Sequence, residues 1–394
     1  MSKQQALKVH NRTLILNAVR QHGMISRAEV ARKTGLSVGT VTGLTGELIQ
    51  TGLIYEKQEG DSRGGRPPIL LSLYPAGAYV IGLKLTEDHL TFALTNLDAD
   101  VVARTTMDLT DSTPSAVADR IAEGVSVLLR RSGIPDERLI GVGVGMAGVV
   151  DAEQGICRTS PILGWKDVPF ADMVKQRTGY PAYIDNDVNT LTLVEKLYGA
   201  GIGLDHFLTI TIGRGIGLGI VVNGRLYRGM GGAGEFGHTV IDTTGDLCAC
   251  GKRGCLETFV ADPWLVKRAR KQQLVVETAD ELAAHAGYDT RVATLLRNAG
   301  EVLGRSVAML VNIFHPQLLI FSGEGMRYGD YLLVPMREAL FANIMPPLGD
   351  SLRLHCEPLG DDAWARGAAG LVLQELFHAP ELGWPQLASK VNAG

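Results

Sequence analysis

The sequence predicts an α/β protein whose two-lobed body follows an N-terminal winged helix-turn-helix. Three observations predict it. Two short capped helices stand either side of a Thr-Gly-Leu turn near the start of the chain. From about residue 76 strands and helices alternate. Strand-then-glycine openings occur in both halves of that body, which suggests an internally duplicated fold. A chain of 394 residues is long enough for two or three domains, each with its own core.

In the head, residues 11–22 (NRTLILNAVRQH) place Leu14, Ile15, Ala18 and Val19 on one helical face. Ser26 and Glu29 have capping-box spacing and open a helix that Gly35 ends. Ser37 caps the next helix, and Gly52 stops it. In a helix-turn-helix this second helix enters the major groove N-terminus first. The DNA-facing candidates are therefore Ser37, Val38, Gly39, Thr40 and Thr42, joined by Arg27 at the start of the preceding helix. Small and hydroxylic side chains permit close approach to phosphates and thymine methyls. Two strands then flank a glycine-rich tip, a wing carrying Arg63 and Arg66, which suit a narrow minor groove. Residues 1–72 hold ten Lys and Arg against five Asp and Glu, whereas the whole chain carries −4. A basic head on an acidic body implies that the head alone meets a polyanion such as duplex DNA.

In the body, AYVIGLKLT, HLTFALTNL and DVVARTTMDL read as three successive strands, followed by the helix SAVADRIAEGVSVLLRRSG. IGVGVGMAGVVD reads as a buried strand with a glycine-rich exit. FLTITIGRGIGLGIVVNGRLYRG reads as three strands with an Asn223-Gly224 hairpin turn. The expected division is 1–75 for the head, 76–190 for the first lobe and 191–374 for the second. A helix over about 375–394 is expected to return to the first lobe.

His238, Cys248, Cys250 and Cys255 crowd into one short stretch. A Cys3His set suits tetrahedral zinc, and a closed four-ligand site is structural rather than catalytic. Cys157 and Cys356 are isolated, which argues against a disulfide framework and for a reducing, cytoplasmic location. The N-terminus has no apolar signal-peptide core, and the run IGVGVGMAGVV is too short to span a bilayer.

The zinc signature GH…CxCGxxGCxE, the wing GRPP, and the segments GWKDVPF and IDNDVN together resemble the ROK family of transcriptional regulators. That family is related to bacterial ROK sugar kinases and includes xylose and N-acetylglucosamine repressors. The resemblance covers the chain from the head to about residue 375. It implies an actin-like, ribonuclease-H-type sugar-kinase fold for the body, with a cleft between the lobes. It also implies a sugar-responsive DNA-binding repressor that acts as a homodimer or tetramer. By the same resemblance a sugar is held by Asn186, Asp187, Glu235, His238 and Glu257. The Ala147–Gly148 loop approaches the ring, and Trp165 packs on its C–H groups. The position of Asp187 is that of the general base in the kinase members. The first phosphate loop, however, lacks its aspartate and its glycine pair, reading Ile81-Gly82-Leu83-Lys84-Leu85-Thr86. The expectation is therefore no enzyme. An ATP-dependent sugar kinase with a DNA-binding head is the alternative, and regulation by a docked protein is a third reading.

Overall fold

Serines set the helix starts in the head of the computed structural model, which describes residues 2–58, 69–357 and 362–378. In α1 (Lys3–His22), Ser2 and Gln5 form a reciprocal capping box that starts the helix two turns earlier than residue 11. Its buried face is Ile15, Leu16, Ala18 and Val19, so Leu16 stands where Leu14 was expected. After β1 (Ile25–Ser26), α2 (Arg27–Thr34) opens on the Ser26–Glu29 box and closes on Gly35 in the left-handed conformation. Ser37 caps α3 (Val38–Gln50), accepting from the Thr40 N–H at 3.1 Å. Antiparallel β2 (Ile54–Gln58) and β3 (Ile69–Leu73) are the expected wing strands. The short β1, not anticipated, joins them in the order β1-β3-β2. The wing-tip candidates Arg63 and Arg66 lie outside the described residues.

The first lobe contains β4 (Tyr79–Leu85), β5 (His89–Thr95), β6 (Val101–Asp108), α4 (Pro114–Ser132) and β7 (Leu139–Met146). It continues through β8 (Val149–Asp151), β9 (Ile156–Ser160), β10 (Trp165–Val168), α5 (Phe170–Thr178), β11 (Ala182–Asn186) and α6 (Asp187–Tyr198). Its main sheet has the order β11-β7-β4-β5-β6; β4 pairs parallel with β7 and antiparallel with β5.

The second lobe contains β12 (Phe207–Ile212), β13 (Ile216–Val222), β14 (Arg225–Leu226), α7 (Glu257–Val260), α8 (Asp262–Lys271) and α9 (Ala279–His285). α10 (Thr290–Phe314), β15 (Leu318–Ser322), α11 (Asp330–Asn343) and β16 (Arg353–Cys356) complete it. Its sheet order is β14-β13-β12-β15-β16, with β12 parallel to β15 and antiparallel to β13. Both sheets thus place their first strand centrally, antiparallel meander on one side and parallel strands on the other. This is the duplication expected from the repeated strand openings.

The last described helix, α12 (Ala363–His378), packs on α6, β4 and β7. By compactness the described residues divide into 2–198 with 362–378, and 199–357, and the helix expected over about 375–394 lies, beyond His378, outside the described residues. Residues 191–198 and 362–374 therefore belong with the first lobe, not with the second as expected. The reason is close packing. A Cβ on Gly82 of β4 would lie 2.0 Å from the Ala365 carbonyl oxygen, and one on Gly143 of β7 would lie 1.9 Å from that of Ala368. Bare glycine backbone lets α12 lie directly on the sheet. Among the described residues no helix is long and apolar enough to cross a membrane.

Candidate functional site

The Cys/His cluster is assembled by loops of the second lobe. The loop after β14 leads into a single 3-10 turn ending at His238, and two isolated antiparallel bridges, Val240 to Cys255 and Leu247 to Arg253, fold the cysteine segment back on it. Gly254 makes the return possible: its φ is +68°, and a Cβ there would lie 1.4 Å from the Asp242 carbonyl oxygen. The ligand atoms of His238, Cys248, Cys250 and Cys255 all lie within 4.8 Å of one another, a spacing that can hold one metal ion. The Cys250 and Cys255 sulfurs are 3.6 Å apart, far beyond the ~2.05 Å of a disulfide. Cys248 Sγ is 3.5 Å from His238 Nδ1. The other ring nitrogen, Nε2, faces Glu235 at 3.9 Å. Glu257 Oε1 accepts from the Cys248 thiol at 2.8 Å and lies 3.4 Å from His238 Nδ1. Burial and then the Glu257 carboxylate push the Cys248 thiol well above the usual thiol range.

A second polar set lies at the ends of β4, β7 and β11 in the first lobe. Asp185 is buried; its Oδ1 accepts from the Asn186 N–H at 2.7 Å and from Asn189 Nδ2 at 2.9 Å. This holds Asn186, whose amide donates to the Gly148 carbonyl at 3.1 Å. Ala147, Gly148, Asn186 and Asp187 are thus brought together, all half-buried. A Cβ on Gly148 would lie 2.2 Å from the Thr159 carbonyl oxygen, so the loop requires glycine. Asp187 starts α6, and its Oδ2 faces Lys84 Nζ at 3.6 Å. The same ammonium sits 3.6 Å from the centre of the Trp364 ring. Sequence reasoning missed Trp364, and noted Lys84 only as part of a degraded loop.

Trp165 is a correction. It is 5% exposed, donates its indole N–H to the Ser112 carbonyl at 2.7 Å and packs on Phe170. It is a core residue of the first lobe, not a ring-packing surface.

In the head, Ser37, Val38, Gly39 and Thr42 are exposed at the start of α3, while Thr40 is half-buried with its hydroxyl 2.8 Å from that of Ser37. Arg27 is drawn inward: its guanidinium donates to Thr45 Oγ1 at 3.0 Å and to Glu56 at 2.6 Å. It braces α2 and β2 against α3. Ser37→Ala removes the α3 cap and is expected to lower the head's stability by ~1 kcal/mol, read as a lower urea midpoint for the head. Ser37→Asp should restore it.

Comparison with known proteins accounts for both halves of the chain. The model of the ROK family matches residues 80–375, and a winged helix-turn-helix DNA-binding model matches residues 10–55. A putative xylose repressor of Caldicellulosiruptor sp. (strain Rt8B.4) is 31% identical, over 97% of this chain and 100% of its own. The glucokinase of Thermotoga maritima is 34% identical over 75% of this chain and 98% of its own. The crystal structure of a ROK family transcriptional regulator homologous to the E. coli MLC protein superposes with a TM-score of 0.86 at 26% identity. It covers 99% of this chain and 100% of its own. With the body matched along nearly its whole length and the repressor-type head in place, the chain belongs to the ROK family.

Proposed function

We propose that this protein is a sugar-responsive DNA-binding transcriptional repressor of carbohydrate uptake or catabolism genes. One observation carries the reading: a capped α3 with an exposed N-terminus stands on a body whose candidate base, Asp187, already faces an ammonium group. Repressor relatives align with this chain over 98–100% of their own length. Two heads in a homodimer or tetramer would read a palindromic site, with Ser37, Val38, Gly39, Thr40 and Thr42 toward the bases. Arg63 and Arg66 are proposed for the minor groove. Asn186, Asp187, Glu235, His238 and Glu257 are proposed to take sugar hydroxyls, with the Ala147–Gly148 backbone approaching the ring. The protein is proposed to act in the cytoplasm.

Zinc is the proposed metal, in a structural role. Sulfur ligands at about 2.3 Å and nitrogen at about 2.0 Å in a tetrahedron put S···S near 3.8 Å and S···N near 3.5 Å. The Cys250–Cys255 and Cys248–His238 separations are 3.6 and 3.5 Å, within a set whose ligand atoms all lie within 4.8 Å of one another. Bound through His238 Nδ1, the ion leaves Nε2 free to orient Glu235 or a sugar hydroxyl.

Phosphoryl transfer is disfavoured by two charges. The Lys84 ammonium stands 3.6 Å from Asp187 Oδ2, where it competes with a substrate hydroxyl for the carboxylate. Glu324 Oε2 lies where a Cβ on Gly213 would be 2.3 Å away, so a carboxylate lies against the glycine loop that phosphate would approach.

A thermal-shift panel of D-xylose, D-glucose and N-acetyl-D-glucosamine tests the reading. At least one sugar should raise the melting temperature, since a ligand that binds only the folded form stabilises it. The same sugar should weaken binding to a duplex selected by the protein from a random library, and Asp187→Ala should abolish both effects. Silence across sugars and their phosphate esters, or steady ADP release with a sugar and ATP, would overturn it.

A further inference from the structure

Lys84 and Arg20 stand at opposite ends of the same two helices. Lys84, at the end of β4, touches the amino-terminal ends of both: Asp187 opens α6, and Trp364 lies in the first turn of α12. Arg20, in the last turn of α1 in the head, touches the carboxyl-terminal ends of both. Its guanidinium donates to the Leu197 carbonyl at the end of α6 and lies 5.6 Å from the Tyr198 ring centre. It also lies 5.0 Å from the Phe377 ring centre, near the end of α12. Asn17, one turn earlier on α1, donates to the Phe377 carbonyl at 2.6 Å and accepts from Arg20 at 3.3 Å. Helix carboxyl ends present unsatisfied carbonyls and partial negative charge, so a cation is well placed there.

The two helices pack closely at one point: a Cβ on Gly367 of α12 would lie 3.0 Å from the Leu191 nitrogen of α6, whereas one on Gly370 would make ordinary contact with Val194 at 3.6 Å. Backbone rests on backbone, leaving little room for one helix to slide past the other. The 12 residues of α6 span about 18 Å, so the two contacts are remote from each other.

We infer that the α6–α12 pair is the lever by which a ligand at Lys84, Asp187 and Trp364 repositions the head, with Arg20 as the positioning residue that holds α1 to the lever's far end. The inference rests on the proposed sugar and DNA reading. A sugar hydroxyl bonding to Asp187 competes with the Lys84 ammonium, so occupied and empty states differ in what grips the helices' amino ends. That difference is what a ligand needs in order to shift an equilibrium. Arg20 grips α6 and α12 together. Its guanidinium is held by the Leu197 carbonyl, the Asn17 side-chain oxygen and the Tyr198 and Phe377 rings, while its buried Nε has no hydrogen-bond partner among the described residues.

The test is a double-mutant cycle on the full chain with Lys84→Met and Arg20→Ala, and Arg20→Lys as the conservative variant. The first readout needs neither sugar nor DNA. Hydrogen–deuterium exchange of residues 15–20 in α1 should change at least about threefold in Lys84→Met. That change should vanish when Arg20→Ala is also present and be partly kept with Arg20→Lys. The second readout is the dissociation constant for the library-selected duplex, where the two substitutions should be non-additive by about threefold or more. Remote, uncoupled sites would combine additively. Unchanged α1 exchange in Lys84→Met, or strictly multiplicative effects on DNA affinity, would overturn the lever. If no duplex is selected and no sugar of the panel binds, the functional reading fails, while the exchange measurement still decides the lever.

Discussion

Cys250→Ser is expected to strip the metal from the chain and to destabilise the second lobe by roughly 2–5 kcal/mol. Binding energy at a structural site is part of folding energy, and losing a metal is among the few single changes with so large an effect. The loss should stop short of global unfolding. The lobe keeps a core running from Leu208 and Ile210 through Leu303 to Phe321, to which the metal-binding segment adds Phe236 and Leu256. The measurements are metal content by mass spectrometry, about one ion per chain before substitution, and the urea midpoint with and without chelator. Cys356→Ser is the control: that thiol is exposed and outside the cluster, so metal should stay. Full occupancy in Cys250→Ser would remove Cys250 from the ligand set. The pH dependence has a definite sign. The Cys248 thiol is held protonated by burial and by Glu257, so the ion must displace its proton on binding. Metal affinity, and the stability linked to it, should therefore rise with pH and fall as acid is added.

Gly82→Val is expected to cost about 3–5 kcal/mol and to lift α12 from the first-lobe sheet. At this position a Cβ alone would lie 2.0 Å from the Ala365 oxygen and 2.2 Å from the Ala369 nitrogen, and both are backbone atoms. No rotamer change relieves that. The helix must move, exposing Ala368, Val372, Leu373 and Phe377, now buried. Urea unfolding gives the stability, and limited proteolysis should show faster cleavage within residues 363–378. Gly46→Ala in α3 is the contrasting substitution. Nothing lies within 4 Å of its Cβ position, so it should stabilise the head by up to ~1 kcal/mol through helix propensity. Equal stability of Gly82→Val and the parent would mean that α12 does not lie on β4 as described.

What the sequence disclosed follows from the range of the interactions involved. The caps at Ser26 and Ser37 were legible because each closes on a backbone N–H three residues ahead. The metal cluster was legible because its four ligands fall within one short stretch. The first two turns of α1 were not, because KQQALKVH has no apolar stripe and Leu7 is exposed; the capping box at Ser2 supports them instead. Lys84, Asp187 and Trp364 come from three distant parts of the chain, and only the packed sheet unites them. Trp165 was placed at the sugar only by resemblance. Its pairing with the Ser112 carbonyl depends on the α4 approach, which no local pattern reports. The place of α12 in the first lobe was hidden for a related reason. Glycines on β4 and β7 act as its seat, yet in the sequence Gly82 read as part of a defective phosphate loop and Gly143 as part of a buried glycine-rich strand.

The recognition helix bears no lysine or arginine anywhere along VGTVTGLTGELIQ. Any counterions shed from a duplex on contact must therefore be displaced by other elements, such as the exposed Arg32 and Lys33 that close α2. Ionic strength would then govern how firmly the head adheres, while α3, if it reads the bases as proposed, does so with uncharged hydroxyl and methyl groups, so adhesion and discrimination can be altered independently.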